Sequence, residues 1–240
     1  MVAREGGAVP EETALPATGE DRRPEHWRPR AEQPLAIRLT HWINVPVLLV
    51  MAMSGLQILA AFPRLGPKGA PYGWYLFDGK RPPAWMTTGE WLAGARHIHF
   101  GLGWFLVANG LVYLAYAIGS GEWRRRAFLP GRDARNAMEM ALYYARIRRT
   151  APKQDLYNGL QRLAYTSAIA LGVIEVLSGF AIWKPVQLSL LAALFGGYDG
   201  ARAVHLLGLV ALALFTVGHI VLVALHPREL ASIFTGGKRR

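Results

Sequence analysis

Charge disappears from four stretches of the chain. No Asp, Glu, Lys or Arg occurs from Leu39 to Pro63, from His97 to Gly121, or from Ala203 to Pro227, and Leu163–Trp183 carries only Glu175. Each stretch exceeds about 18 largely apolar residues, enough as a helix rising 1.5 Å per residue to cross a hydrocarbon core of roughly 30 Å. The alternative is four buried helices of a soluble protein, but 240 residues leave too little polar chain to cover them. The pattern predicts an all-α integral membrane four-helix bundle with spans at about 37–62, 97–120, 160–183 and 202–226.

The loops predict its orientation. Arg22, Arg23, Arg28, Arg30 and Arg38 precede the first span. Arg124, Arg125, Arg126, Arg132, Arg135, Arg146, Arg148, Arg149 and Lys153 lie between the second and third, and Arg228, Lys238, Arg239 and Arg240 follow the fourth. The first loop carries Arg64, Lys68, Lys80 and Arg81, and the third only Lys184. Positive charge collects on the cytoplasmic side, so both termini are expected there, in a bacterial inner membrane. The same bias accounts for the net charge of +11 and for hydrophobic residues at 52% against 18% charged, with no call for a nucleic acid partner. The absence of cysteine removes disulfides, thiolate metal sites, Cys-ligated iron–sulfur clusters and covalently attached c-type haem.

Outside the spans, residues 1–34 are rich in Pro, Glu, Gly, Arg and Ala without an apolar run, which predicts a disordered cytoplasmic arm rather than a signal peptide. The core domain is expected over 35–236, followed by a basic tail at 237–240. The loop Pro63–Ala95 is Pro/Gly-rich and aromatic, with Tyr72, Trp74, Tyr75, Phe77, Trp85 and Trp91, a composition suited to packing over the bundle mouth or meeting a partner. Met138, Met140, Leu142 and Ile147 recur at helical spacing among arginines in Asp133–Arg149, as in an interfacial helix on anionic lipid or a short solvated one.

Five of the seven histidines fall within or at the ends of spans: His41, His97, His99, His205 and His219. His205 and His219 are 14 residues apart, almost four turns, and so share a face at levels about 21 Å apart. The first span begins with His41 and the second, running back, begins with His99, so depth pairs His41 with His219 and His99 with His205. Two depth-matched pairs at two levels are what two bis-histidine haems require, one imidazole on either side of each iron. A lone intramembrane histidine is more commonly a hydrogen-bonded packing residue. Glycines within the spans, such as Gly55, Gly103, Gly179 and Gly208, allow close approach of a macrocycle or of another helix. His97 points nearly opposite to His99 and reads as an interfacial residue. His226 reads as a solvated helix-end histidine that could touch a haem propionate or a quinone headgroup.

Several segments resemble the bacterial cytochrome b561 / Ni-hydrogenase cytochrome b family. They are RLTHW at Arg38–Trp42, HFGLG at His99–Gly103, LYNGLQR at Leu156–Arg162, LSGFAIW at Leu177–Trp183, and the spacing of His205 and His219. The resemblance covers residues 35 to 236. It implies two haem b groups with His41, His99, His205 and His219 as axial ligands to iron. It further implies quinone chemistry near the inner haem and the polar start of the third span, here Asn158 and Gln161 with Tyr157 and Arg162 beside them. Helix capping is the other reading of Asn158. The segment Met53–Pro63 and the long aromatic loop resemble cytochromes that accompany periplasmic molybdopterin oxidoreductases.

The function so expected is that of an electron-transfer subunit joining a periplasmic oxidoreductase, a molybdoenzyme by resemblance, to the membrane quinone pool. Catalysis on substrate would belong to the partner. An autonomous quinol- or superoxide-linked cytochrome and a membrane metal-ion transporter are the competing classes; the transporter usually needs more carboxylates or thioethers than one Glu175. Thr40, Ser54, Thr166, Ser167 and Thr216 are candidate partners for the second nitrogen of a ligating imidazole. Arg38, Arg162 and Arg202 could pair with haem propionates or snorkel to headgroups. Glu175 could tune the outer haem, relay a proton or pack as a hydrogen-bonded acid.

Overall fold

Each charge-poor stretch forms one long helix. The computed structural model describes residues 33–65, 80–152, 157–225 and 227–236. Helix α1 spans Leu35–Ala61, α2 Leu92–Gly119, α5 Gly159–Trp183 and α7 Gly197–Leu225, all long and apolar enough to cross a membrane. The connections hold a 3₁₀ turn at Ala84–Met86 and the short helices α3 Trp123–Arg126, α4 Pro130–Tyr144 and α6 Ser189–Leu194, and α8 Pro227–Thr235 follows α7. Among the described residues there is no strand. The expected arm up to residue 32, the loop aromatics Tyr72, Trp74, Tyr75 and Phe77, His226 and the tail at 237–240 lie outside the described residues.

Helices α2 and α7 each begin about a turn before the predicted spans, because a charged side chain at a helix end does not stop the backbone. Arg96 lies over the ring of Phe100, 5.8 Å from its centroid. Arg202 donates to the carbonyls of Phe62 at 2.7 Å and Arg64 at 3.0 Å, capping the negative end of α1 with a cation. At the other end Arg38 donates to Ile233 O at 2.9 Å and to Phe234 O, closing α8 in the same way.

Packing is tightest within two hairpins, α1 against α2 and α5 against α7. Small residues make the close approaches: Ala95, Ala117, Ala181 and Ala201 are buried, whereas Leu39, Val45, Leu49, Leu111, Val112, Leu214 and Ile220 are exposed. Exposed leucine and valine on a helix that is apolar all round face lipid, and small residues face neighbouring helices. Gln33 N–H donates to Gly236 O at 3.1 Å, so the start of α1 and the end of α8 meet at one end of the bundle, here the termini end. Inside the first hairpin, buried Asn109 of α2 donates to Thr40 O at 2.9 Å and to Asn44 Oδ1 at 2.7 Å, clamping α1 beside His41.

Helix α4 is amphipathic and lies across the start of α5. There a Cβ on Gly159 would fall 2.5 Å from Asp133 O and 2.7 Å from Ala137 N, so the crossing needs glycine. The start of α5 is closed by a capping box: Asn158 Oδ1 accepts from Gln161 N at 2.9 Å and Gln161 Oε1 accepts from Asn158 N at 3.1 Å. Asp133 is the anchor. Its carboxylate accepts from Arg132 Nε and Nη2 and from Arg162 Nη1, each at 2.7 Å, and from Leu129 N–H at 2.8 Å. The Arg132 hydrogen bonds, helped by Leu129 N–H and Arg162 against the opposing effect of burial, hold the Asp133 carboxyl far below the usual carboxylate range.

Helix α4 ends in a Schellman motif: Ile147 N–H donates to Leu142 O and Arg146 N–H to Tyr143 O, both at 3.0 Å. The left-handed position is filled by Arg146 at φ 60°, where glycine is the usual occupant.

Three substitutions test this arrangement by unfolding in detergent. Asp133→Asn should cost about 3–5 kcal/mol at neutral pH, since it strips a buried cation of its counter-charge. Because the Asp133 pKa is depressed, its contribution is present above about pH 4 and fades only as pH falls through the lowered value. Gly159→Ala should cost about 1–3 kcal/mol by overpacking backbone. Arg146→Gly should instead stabilise, by roughly 1 kcal/mol.

Candidate functional site

The four span histidines occupy two levels, and each pair bridges the two hairpins. His41 of α1 faces His219 of α7 with ring centroids 6.1 Å apart, toward the termini end. His99 of α2 faces His205 of α7 at 6.2 Å, toward the far end. Two imidazoles on either side of one metal, with metal–nitrogen bonds of about 2.0 Å and each ring centre roughly 1.1 Å behind its nitrogen, have centroids about 6.3 Å apart. Both pairs match that spacing. The ring planes cross at 58° and 79°, which axial imidazoles can do because each turns freely about its own bond to the metal.

Hydrogen bonding fixes which nitrogen of the far-end pair is free to bind. His99 Nδ1 lies 3.1 Å from Met51 O and 3.1 Å from Ser54 Oγ. A carbonyl only accepts, so Nδ1 carries the proton and Nε2 is left as the bare donor atom that iron needs. His205 Nδ1 lies 2.9 Å from Ser178 Oγ and 3.2 Å from Glu175 Oε2. The Ser178 hydroxyl donates to Ile174 O at 2.7 Å, so toward the imidazole it accepts, and Nδ1 is again the protonated atom. Ser54 does the same, donating to Val50 O at 2.7 Å. Both serines are fully buried. The glycine that follows each leaves room for the ring: a Cβ on Gly55 would sit 3.1 Å from His99 Cε1, and one on Gly179 would sit 3.3 Å from His205 Cε1.

The termini-end pair is held by rings. Phe215 stacks on His219 at 6.0 Å with planes 8° apart, and Trp42 meets His41 edge-on at 5.3 Å. His41 Nδ1 is buried without a hydrogen-bond partner, and a polar atom so placed costs about 1–3 kcal/mol unless something binds it. The paired spacing, the bare Nε2 atoms of the far pair and the orphaned nitrogen of His41 all fit b-type haem, whose iron accepts two neutral imidazoles and whose ring needs no cysteine.

Other residues singled out from the sequence serve elsewhere. The hydroxyls of Thr40 and Thr216 bond back to their own helices, at Ala36 O and Leu212 O, and Thr166 Oγ1 accepts Phe128 N–H. Arg38, Arg162 and Arg202 engage backbone carbonyls, and Arg162 also engages Asp133. Asn158 and Gln161 form the capping box of α5. His97 is exposed. Ser178 and the Met51 carbonyl are sites that sequence reading missed. The signal for the serine was present as a repeated Ser-Gly pair, one in each hairpin; the carbonyl left no trace in residue type. Among the described residues no three His, Asp or Glu side chains gather as a metal-ion site.

A family model described as prokaryotic cytochrome b561 matches residues 32–236. The chain is 37% identical over 213 residues to "Putative protein-methionine-sulfoxide reductase subunit YedZ1" of Azospira oryzae, covering 86% of this chain and 96% of that one. No solved structure matches. The paired span histidines and the four apolar helices thus meet a family match over nearly the whole folded region: the chain belongs to the prokaryotic cytochrome b561 family, as a multi-pass haem protein of electron transfer in the bacterial inner membrane.

Proposed function

We propose that the chain carries two haem b groups, one ligated by His41 and His219 and one by His99 and His205. On this reading it joins a quinone at the cytoplasmic face to an oxidoreductase partner at the periplasmic face. The observation that carries the reading is the pair of imidazole–imidazole separations, 6.1 and 6.2 Å, at two levels of one bundle. When bound, the haems supply one-electron transfer between those levels. The four histidines would hold these groups, and the protein's own part is to keep each imidazole neutral and turned toward its partner. The arginine-rich loops support placing the termini end in the cytoplasm. His41 and His219 are then the inner pair, and His99 and His205 the outer.

The similarity to YedZ1, described as a subunit of a protein-methionine-sulfoxide reductase, supports a partner that reduces a sulfoxide. The resemblance of Met53–Pro63 supports a molybdopterin enzyme in that role. Sulfoxide reduction consumes electrons, so they run outward, from quinol at the inner level to the partner. Asn158 and Gln161 are the proposed quinone contacts. Their amide oxygens serve the helix cap, so a quinone carbonyl would take their amide N–H groups as donors.

Two measurements test this. A reduced-minus-oxidised spectrum with haem quantified per chain should show two low-spin b haems. His99→Ala and His205→Ala should each remove the same one, and His41→Ala and His219→Ala the other; variants that break this pairing, or a folded haem-replete chain with no haem, overturn the assignment. Asn158→Asp preserves an N-cap acceptor while removing the amide donor, so it should leave haem content and folding unchanged and slow haem reduction by quinol about tenfold or more. Unchanged quinol kinetics would remove Asn158 from the site.

A further inference from the structure

The two hairpins repeat one histidine-holding device at the outer level, where the residue three before the serine is Met51 in one and Glu175 in the other. In the register that lays Ser54 and Gly55 of α1 on Ser178 and Gly179 of α5, Met51 falls on Glu175 and His41 on Tyr165. In the register that lays His99 of α2 on His205 of α7, Tyr113 falls on His219. The outer imidazole pair therefore straddles a pseudo-twofold axis along the bundle, with equivalent serine and glycine supports on either side. The inner pair has no counterpart, since the equivalent positions are tyrosines.

Across this pseudo-axis, Met51 offers His99 only its backbone carbonyl, at 3.1 Å. Glu175 engages His205 through its backbone in the same way and adds its side chain, Oε2 lying 3.2 Å from Nδ1. Its other oxygen, Oε1, is buried without a hydrogen-bond partner and is pressed against Gly208, where a Cβ would occupy the same space. An acidic residue within a span is costly. The apolar Met51 shows that holding the ring needs no acid. The cost of Glu175, the surrender of a side chain at Gly208 and the 3.2 Å approach of Oε2 to Nδ1 point to a role in the electronic state of the imidazole rather than in its packing.

We infer that Glu175 is a positioning residue for the outer haem. It lies with Ser178 around Nδ1 of His205, keeps Nε2 turned to the iron and makes the ring a stronger electron donor. A more electron-rich axial ligand favours ferric over ferrous iron, so the carboxylate holds the outer haem at a lower potential than two ordinary imidazoles would. The resulting centre is asymmetric, with one ordinary and one strengthened ligand. This rests on the ligand assignment proposed above, and the test separates the two.

The experiment is a potentiometric titration of the purified full-length holoprotein, with low-temperature electron paramagnetic resonance of the ferric haems. In Glu175→Gln one of the two haems should titrate at a higher potential with altered g values while the other stays as in wild type. Gly208→Ala, whose methyl displaces the carboxylate without removing it, should shift the same haem in the same direction, and the double variant should go no further than Glu175→Gln alone. If Glu175→Gln loses the outer haem or does not fold, Gly208→Ala decides. Wild-type potentials and g values in both variants at full haem content overturn it. Failure of the ligand assignment itself would be recognised separately, as His205→Ala retaining both haems.

Discussion

A bilayer interior leaves no imidazole to water, and four imidazoles in this bundle must each find a partner there. The structure answers by setting them in two facing pairs whose separation suits one shared metal each. The rest of the architecture follows from that constraint. Both histidines of α7 lie on one face, so the second hairpin presents a single helix to α1 at one level and to α2 at the other. The helices then pack closely only within hairpins, since the imidazole pairs set the distance between them.

The means of holding the rings differ between the levels. At the far end a buried serine and a following glycine on the neighbouring helix secure each ring by hydrogen bond and by lack of bulk. At the termini end aromatic rings do the holding, and the hydrogen bonding around His41 is left to α1 and its clamp on Asn109. Polar support fixes a tautomer; stacked rings fix only an orientation. The two imidazole pairs are thus held by different means, one by polar support and one by aromatic rings.

Apart from Glu175, charge in the four long helices is used at their ends. Arg38 and Arg202 each donate to the last carbonyls of another helix, and Asp133 ties α4 to the root of α5 through Arg132 and Arg162. These contacts join elements distant in sequence near the ends of the spans. Read from sequence alone, the same arginines look equally suited to propionates or to lipid, because a guanidinium at a span end says nothing of which acceptor it will meet.

The four spans, the two histidine levels and the facing of His41 with His219 and His99 with His205 were legible in the amino-acid sequence, as was the expectation of sidedness from the arginines. All of these rest on properties additive along a helix: charge, apolar length and rise per residue. Span ends came out a turn short at α2 and α7, because charge marks the membrane boundary and not the end of the hydrogen-bond ladder. The roles of Ser178, the Met51 carbonyl, Gly159 and Gly208, and the use of Asn158 and Gln161 as a cap, were decided only by tertiary structure. Each depends on which helix lies opposite and at what distance, and a contact across the bundle leaves no periodic signal in the chain that makes it.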